Sequence, residues 1–511
     1  MVVSAPGKKH SQQNKQQKLL LHTAFFSGMV VMAVELTATR IMAPFFGTSV
    51  FVWTNLLGVV MMALAMGYWL GGKLGDRFPS RNWLFGLLLL ASILLALIPV
   101  IAPWILDAIS ASIEEDLISL VVNSLLGSII LFALPFLVLG MISPSIIRLL
   151  SREIEESARI AGMVFSASTV GSILGTFLPT LLFVPWIGSK RTIFLFSGIL
   201  LLLSLIGLGK RRLWIFGALL GALAIEVPDS WLRQTGIVYQ TESPYGHVWV
   251  TRDDQGYYRL RRDQKYGVQS IYHPDKVLTQ GVWDHFVVGP LFQPHKKDQN
   301  ITVIGSAGGT AYRVWQEILG HRFDFHFEGA EIDPAVVQVA QRYFALNYPN
   351  LRITTLDGRR YLQRSEKRFD VILLDAYHNL YIPPHLSSLE FFSLVASRLE
   401  PEGVAITNVH CWLNTSEVLD RILRTLGEVF DKIWMINVSP GNFLLIATNG
   451  SGDLFQAIGE LPPDLTWLAE RMKIRGHRMV ELPEVELITD DRPLSAVIFD
   501  RAAVERWWSL R

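Results

Sequence analysis

The chain has 511 residues, a formal charge of +1, half of its residues apolar and only 18% charged. That balance argues against a disordered chain, a free nucleic-acid binder and an ordinary soluble protein, and the length suggests more than one domain. A single cysteine, Cys411, excludes intramolecular disulfides and cysteine-cluster metal sites, and twelve histidines without HExxH or similar spacing give no sign of a metal.

The averages conceal two halves. Residues 1–18 form a polar tail, expected to be disordered. From Leu19 to Val227, 209 residues carry only 22 charged side chains. This half holds apolar runs near 20–43, 50–72, 82–106, 117–147, 160–187, 192–209 and 212–227. A bilayer-crossing helix needs about 20 such residues, so we expect a transmembrane bundle of six or seven spans. Lys8, Lys9, Lys15 and Lys18 precede the first run without a signal-peptide cleavage pattern.

Thirteen Lys/Arg fall in the tail and alternate loops, against two, Lys190 and Arg191, on the other side. The N-terminus is therefore expected in the cytoplasm. Glu35 and Arg40 lie inside the first span. Their spacing leaves open an interhelical ion pair or a polar site within the bundle. The segment GYWLGGKLGDR, Gly67 to Arg77, resembles a loop of major-facilitator transporters, although its glycines also suit close helix packing.

The second half alternates strands and helices. Residues 237–298 read as a β-rich N-terminal module with strands around Asp253-Asp254-Gln255-Gly256. Residues 299–511 follow with strand 300–304, a glycine turn and helix 310–319, then a strand ending at Glu331 and helix 334–344. Strand 351–355 and helix 358–364 precede a buried strand ending at Asp375. Helix 388–399, strand GVAITNV, helix 416–428 and strands near 433–447 complete the series. Such alternation predicts an α/β, Rossmann-like domain with a parallel, doubly wound sheet.

Ligands of such sheets sit at the carboxyl ends of the strands. Gly305, Gly308 and Gly309 let the backbone approach a ligand where a helix begins. Glu331 can take both hydroxyls of a ribose, and Asp357, followed by Gly358, can reach an adenine amino group. The ordered set predicts a nucleoside-type ligand. The absence of GxGxxG spacing and of a Walker lysine makes NAD and ATP less suitable.

These segments carry a resemblance. VIGSAGGT, FEGAEIDPAVVQVAQRYF, TTLDGRRYL, RFDVILLDAYHN and LSSLEFFSLVASRLEPEGVAITNV are similar, in order, to the S-adenosylmethionine-type fold of spermidine synthases. TESPYGHVWV resembles the family's first strand motif, and ELTATRIMAPFFGTS and LITDDRPL fit a membrane-fused subgroup. The resemblance implies a transferase using S-adenosylmethionine or its decarboxylated form. An amine would attack the carbon beside the sulfonium, methylthioadenosine would leave, and Asp375 would occupy the catalytic aspartate position.

The substrate-binding positions implied are Tyr245, Asp284, Tyr377 and His378, and several depart from the family. Its GGDGG loop has Ala307 in place of the aspartate. Its Tyr-Gln pair is Tyr245-Gly246, its Asp-x-x-Asp ends in His378, and its YHExxxHxPL reads VWDHFVVGPL with Asp284 as the remaining acid. Adenosine contacts look retained while diamine contacts look depleted. The expected acceptor is then less cationic than putrescine or membrane-derived, or the donor itself reacts.

The alternative is a transporter or sensor that only binds the nucleoside. Expected partners are the lipid bilayer, a small amine and a second copy in a dimer, with no nucleic acid. Cofactor supply argues that the multi-pass chain keeps its catalytic half on the cytoplasmic side of the cell membrane. That requires Leu213–Val227, about 15 residues and shorter than a usual span, not to cross; the rival is a full seventh span with local bilayer thinning, which would place that half outside.

Overall fold

The computed structural model describes residues 6–47, 50–110, 117–151, 153–209, 221, 236–263, 267–376, 383–410 and 416–492. Contacts divide the chain into two units, Met1–Gln234 with Glu242–His247, and Thr235–Thr241 with Val248–Arg511.

The first unit is helical. Its described helices are α1 (Pro6–Phe46), α2 (Val50–Arg77), α3 (Arg81–Ser110), α4 (Ser119–Leu150) and α5 (Ser157–Leu208). By length and composition alone, five described helices are apolar enough to cross a membrane. The helix α1 begins at Pro6, so the polar stretch expected to be disordered is helical from there. Its Lys and Gln residues are good helix formers, and it continues directly into the apolar run. The runs 160–187 and 192–209 join into one long helix, α5, broken at Gly188, where φ is 79° and ψ 165°. Most of segment 212–227 lies outside the described residues.

Helix packing accounts for the glycine-rich segment of α2. A Cβ at Gly67 would stand 2.3 Å from the Leu137 carbonyl oxygen, and one at Gly71 2.5 Å from the Met141 Cα. Both glycines let α2 lie backbone to backbone against α4, the role of small residues between apolar helices. Asp76 of the same segment pairs with Arg148 at 2.8 Å. Glu35 is buried. Arg40 donates to the Ser243 carbonyl oxygen at 2.9 Å, and also to that of Pro244, in the hairpin turn that clusters with this unit.

Two sheets follow, in the second unit except for the β1–β2 turn region Glu242–His247. The smaller has four strands in the order β1 (Ile237–Ser243), β2 (Gly246–Arg252), β3 (Tyr258–Arg262) and β4 (Ser270–Tyr272). The larger has eight, taken here in chain order with their helices. β5 (Asp298–Ile304) leads to α6 (Thr310–Leu319), and β6 (Asp324–Glu331) to α7 (Pro334–Tyr343). β7 (Leu351–Thr355) leads to α8 (Gly358–Arg364), and β8 (Phe369–Leu374) to α9 (Leu389–Arg398). β9 (Leu399–His410) is followed by α10 (Ser416–Leu426), then β10 (Lys432–Ser439) and β11 (Asn442–Thr448). α11 (Leu454–Gly459), α12 (Thr466–Arg475) and β12 (Gly476–Arg478) close the series.

The spatial order is β12-β10-β11-β9-β8-β5-β6-β7. From β9 to β7 all neighbours are parallel. β11, β10 and β12 add antiparallel at the other edge. The sheet is therefore mixed, where the sequence predicts a parallel one. Only Pro440 and Gly441 separate β10 from β11, and a two-residue link forms a hairpin, not a crossover. Alternate residues face opposite cores. Val371, Leu373, Val404 and Ile406 pack on one face with Phe286 and Trp315. Ile372, Leu374 and Ala405 pack on the other with Phe391 and Ile422.

The α2 segment supplies its own control, because Gly72 has open space around a Cβ. Gly67→Val or Gly71→Val should cost about 1–3 kcal/mol through overpacking. The melting temperature of detergent-purified protein should fall clearly for both, while Gly72→Ala leaves it near the parent value.

Candidate active site

Parallel pairing brings the carboxyl ends of β5, β6, β7 and β8 side by side. The Asp375 amide donates to the Ile304 carbonyl at 2.9 Å, and Gly305 then turns away with φ of 90°. A Cβ at Gly305 would stand 2.5 Å from the Asp375 carbonyl oxygen, so only glycine allows this crossing. The Gly308 N–H donates a hydrogen bond to Ser270 Oγ at 2.8 Å. Gly309, with φ of 80°, opens α6.

Glu331 ends β6 and is buried. Its Oε2 accepts from the Ala307 amide at 3.0 Å and its Oε1 from the Asp333 amide at 3.1 Å. Burial raises its carboxyl above the usual range, opposed by nearby Arg262 and these amides. Each carboxylate oxygen has more than one lone pair, so a diol can add to both. Asp333 caps α7 through the Ala335 amide at 2.9 Å and faces Arg262 at 3.6 Å.

Asp357 caps α8 by accepting from the Arg360 amide at 3.0 Å. Its other oxygen meets His385 Nε2 at 2.8 Å, and this bond holds its carboxyl below the ordinary value. Gly358 is the first residue of that helix. Beside it, Arg359 grips Asp490 through two bonds of 2.7 and 2.6 Å, and Ser388 Oγ donates to Asp490 at 2.7 Å. Asp490 of LITDDRPL is thus tied to the first turn of α8 and to the start of α9.

Asp375 follows β8. Burial pushes its carboxyl up to about 7, while the Asn408 amide, donating to Oδ1 at 2.9 Å, works the other way. A carboxylate balanced near neutrality is suited to accept a proton. An apolar crevice lined by Ile304, Leu374, Ala376, Leu386 and Phe391 adjoins it.

The structure thus assembles Gly305, Gly308, Gly309, Glu331, Asp357, Gly358 and Asp375 at one sheet edge. Asp284 is used differently. It is fully buried, and its oxygens accept from the Thr279 amide at 2.8 Å, Thr279 Oγ1 at 2.9 Å and the Gln280 amide at 2.7 Å. These bonds hold a turn instead of facing a substrate. Tyr245 lies exposed in the β1–β2 turn and clusters with the helical unit. Tyr377 and His378 lie outside the described residues. Sequence reasoning missed His385, Asn408 and Arg359. The Asp490 motif was visible, but its partner was not. Among the described residues, no group of three or more His, Cys, Asp or Glu side chains is arranged to hold a metal.

Residues 287–440 match the spermine/spermidine synthase domain. A probable polyamine aminopropyl transferase of Bifidobacterium longum is 30% identical over 199 residues, which are 39% of this chain and 43% of that protein. A polyamine aminopropyltransferase of Vibrio vulnificus is 32% identical over 240 residues, 45% of this chain and 75% of that protein. The chain therefore spans less than half the length of the first relative and three quarters of the second. A probable spermidine synthase structure from Corynebacterium glutamicum aligns over 50% of this chain and 100% of its own, at 16% identity and a TM-score of 0.38.

The Asp375 carboxyl should be observable without any ligand. Infrared titration should show a carboxyl with a midpoint near 7, absent from Asp375→Asn. Asn408→Leu removes the bond that favours the ionised form, so the midpoint should rise. Folding linkage has a defined sign here. The folded value lies above the ordinary 3.8, so the folded state holds the extra proton, and this group's contribution to stability falls as pH rises between about 4 and about 7.

Proposed function

Because the chain belongs to the spermidine/spermine synthase family, we propose that its C-terminal unit transfers an alkyl group from an S-adenosylmethionine-type sulfonium to an amine. The donor is decarboxylated S-adenosylmethionine or S-adenosylmethionine itself. Glu331 binds the ribose diol, Asp357 accepts from the adenine amino group, and the glycine turn lies against the nucleoside. The observation that carries the reading is Asp375, a carboxyl poised near 7 at the strand tip.

In the reaction, the nitrogen lone pair of the amine attacks the carbon next to sulfur. A C–N bond forms and the C–S bond breaks, its electron pair staying on sulfur. Neutral methylthioadenosine leaves, and Asp375 takes the proton lost by the nitrogen. Holding both reactants in line supplies much of the rate, and the base adds to it.

The helical unit is assigned to a lipid bilayer, supported by the length and composition of its helices. The catalytic half faces the cytoplasm, where the donor is made, and the loop charges agree with this if Leu213–Val227 does not cross. A cysteine at Asp254, in a Cys411→Ser background, should resist a membrane-impermeant maleimide in intact cells and react after permeabilisation. Labelling of intact cells would overturn this topology.

Purified protein given the donor with and without amines should release methylthioadenosine, read by mass spectrometry. Asp375→Asn should lower turnover by about 100-fold or more, with methylthioadenosine affinity within a few-fold of the parent. Glu331→Ala should weaken that affinity by about tenfold or more, as expected for lost bonds to a charged acceptor. Parent-like turnover in the first variant would remove the base assignment. Unchanged calorimetric affinity in the second would remove the ribose assignment.

A further inference from the structure

The sheet face that carries Asp375 continues past it in a row of polar side chains. Leu374 pairs with Thr407, which sets Asp375 beside Asn408, and their 2.9 Å bond confirms the neighbourhood. His410 lies two residues further along β9, on the same face. Asn442 of β11 is the direct cross-strand partner of His410, so its side chain shares that face.

Three of these groups are unsatisfied. Asn408 Oδ1, His410 Nδ1 and Asn442 Oδ1 are buried atoms without a hydrogen-bond partner among the described residues. Asn408 is only 7% exposed. Because its Nδ2 is committed to Asp375, its Oδ1 must be the free end. Three buried polar atoms close together on one sheet face are costly to leave unpaired. A ligand bearing N–H or O–H groups would satisfy them.

The charge of this row is distinctive. Asp375 is its only acid. Burial lowers the pKa of His410, so its ring is neutral at neutral pH. The Asp284 carboxylate is occupied by its own turn. Arg471 and Arg475 of α12 both donate to the Val438 carbonyl on β10, at 2.7 and 2.9 Å, which adds positive charge beyond β11. One ammonium can be matched here by Asp375 and Asn408 Oδ1. A second would meet only the neutral His410 and Asn442 of this row.

We propose that Asn408, His410 and Asn442, with Asp375, form the acceptor subsite, and that it selects an amine carrying one positive charge, such as an amino alcohol, over a diamine. The inference rests on the transferase reading for its chemistry. It adds the substrate class and the residues that set it. The hydroxyl of an amino alcohol both donates and accepts, which suits an amide oxygen and a neutral imidazole of either tautomer.

The test uses the full-length protein in detergent and two amines of equal chain length, 4-aminobutan-1-ol and 1,4-diaminobutane. Their binding to methylthioadenosine-loaded protein is measured by calorimetry, and methylthioadenosine release from decarboxylated S-adenosylmethionine by mass spectrometry. The amino alcohol should bind at least about tenfold more tightly, a difference of 1.4 kcal/mol, and should give the higher kcat/KM. His410→Glu, and separately Asn408→Asp, should move the binding ratio toward the diamine by about tenfold. Tighter binding of the diamine by the parent, or a ratio unmoved by both variants, would overturn the proposal. If the binding order holds but no amine supports release, the transferase reading fails and the subsite assignment stands.

Discussion

The candidate site of the C-terminal unit depends on one constraint, the parallel pairing of β5 with β6 and β8. Parallel strands end together, and each then hands its next residue to a loop at the same edge. Ile304, Ala330 and Leu374 are in register, so Gly305, Glu331 and Asp375 emerge as neighbours. The Gly305 crossing makes that edge tight enough for backbone contact, since a single methyl would collide with the Asp375 carbonyl. The large side chains Phe327, Trp315 and Phe286 are fully buried around the sheet and hold it from below. The chemistry at the rim is set by this packing as much as by the acids themselves.

Electrostatics divides the rim into two regimes. Asp357 lies beside His385 and its carboxyl is held low, which suits a permanent hydrogen-bond acceptor. Asp375 is desolvated, has a single amide partner and is held near neutrality. The two carboxylates start from the same intrinsic acidity, and their neighbours drive them apart. Such divergence is the electrostatic pattern expected where one site both binds and reacts.

The sequence made much of this legible because the signals are local. Strand tips announce themselves where an apolar run ends in an acid, as at Glu331 and Asp375, and helix starts by Asp333-Pro334 and Asp357-Gly358. The apolar runs of the helical unit were visible for the same reason. What stayed hidden is non-local. The antiparallel direction of β10 and β11 follows from Pro440-Gly441, a turn signal that was available but is weaker than the strand periodicity around it. The internal role of Asp284 depends on backbone amides of Thr279 and Gln280, which no spacing reveals. The bond between Asn408 and Asp375 joins residues whose strands are separated by a helix. The joining of two expected spans across Gly188 likewise reflects a backbone that bends without a loop.

The β10–β11 hairpin also bears on how the sheet is assembled. Its two strands are contiguous in sequence, so they can pair before any distant segment arrives. The β5–β8 pairing must wait for a long loop to close. β9 adds antiparallel to this early ribbon through β11 and parallel to β8 on its other side, so it is the seam where a locally formed piece meets a slowly formed one. A nascent chain that stops before β11 leaves β9 with a bare, apolar edge, the geometry that recruits strands from other molecules. The same hairpin that carries Asn442 to the rim therefore shields the maturing sheet from aggregation during synthesis.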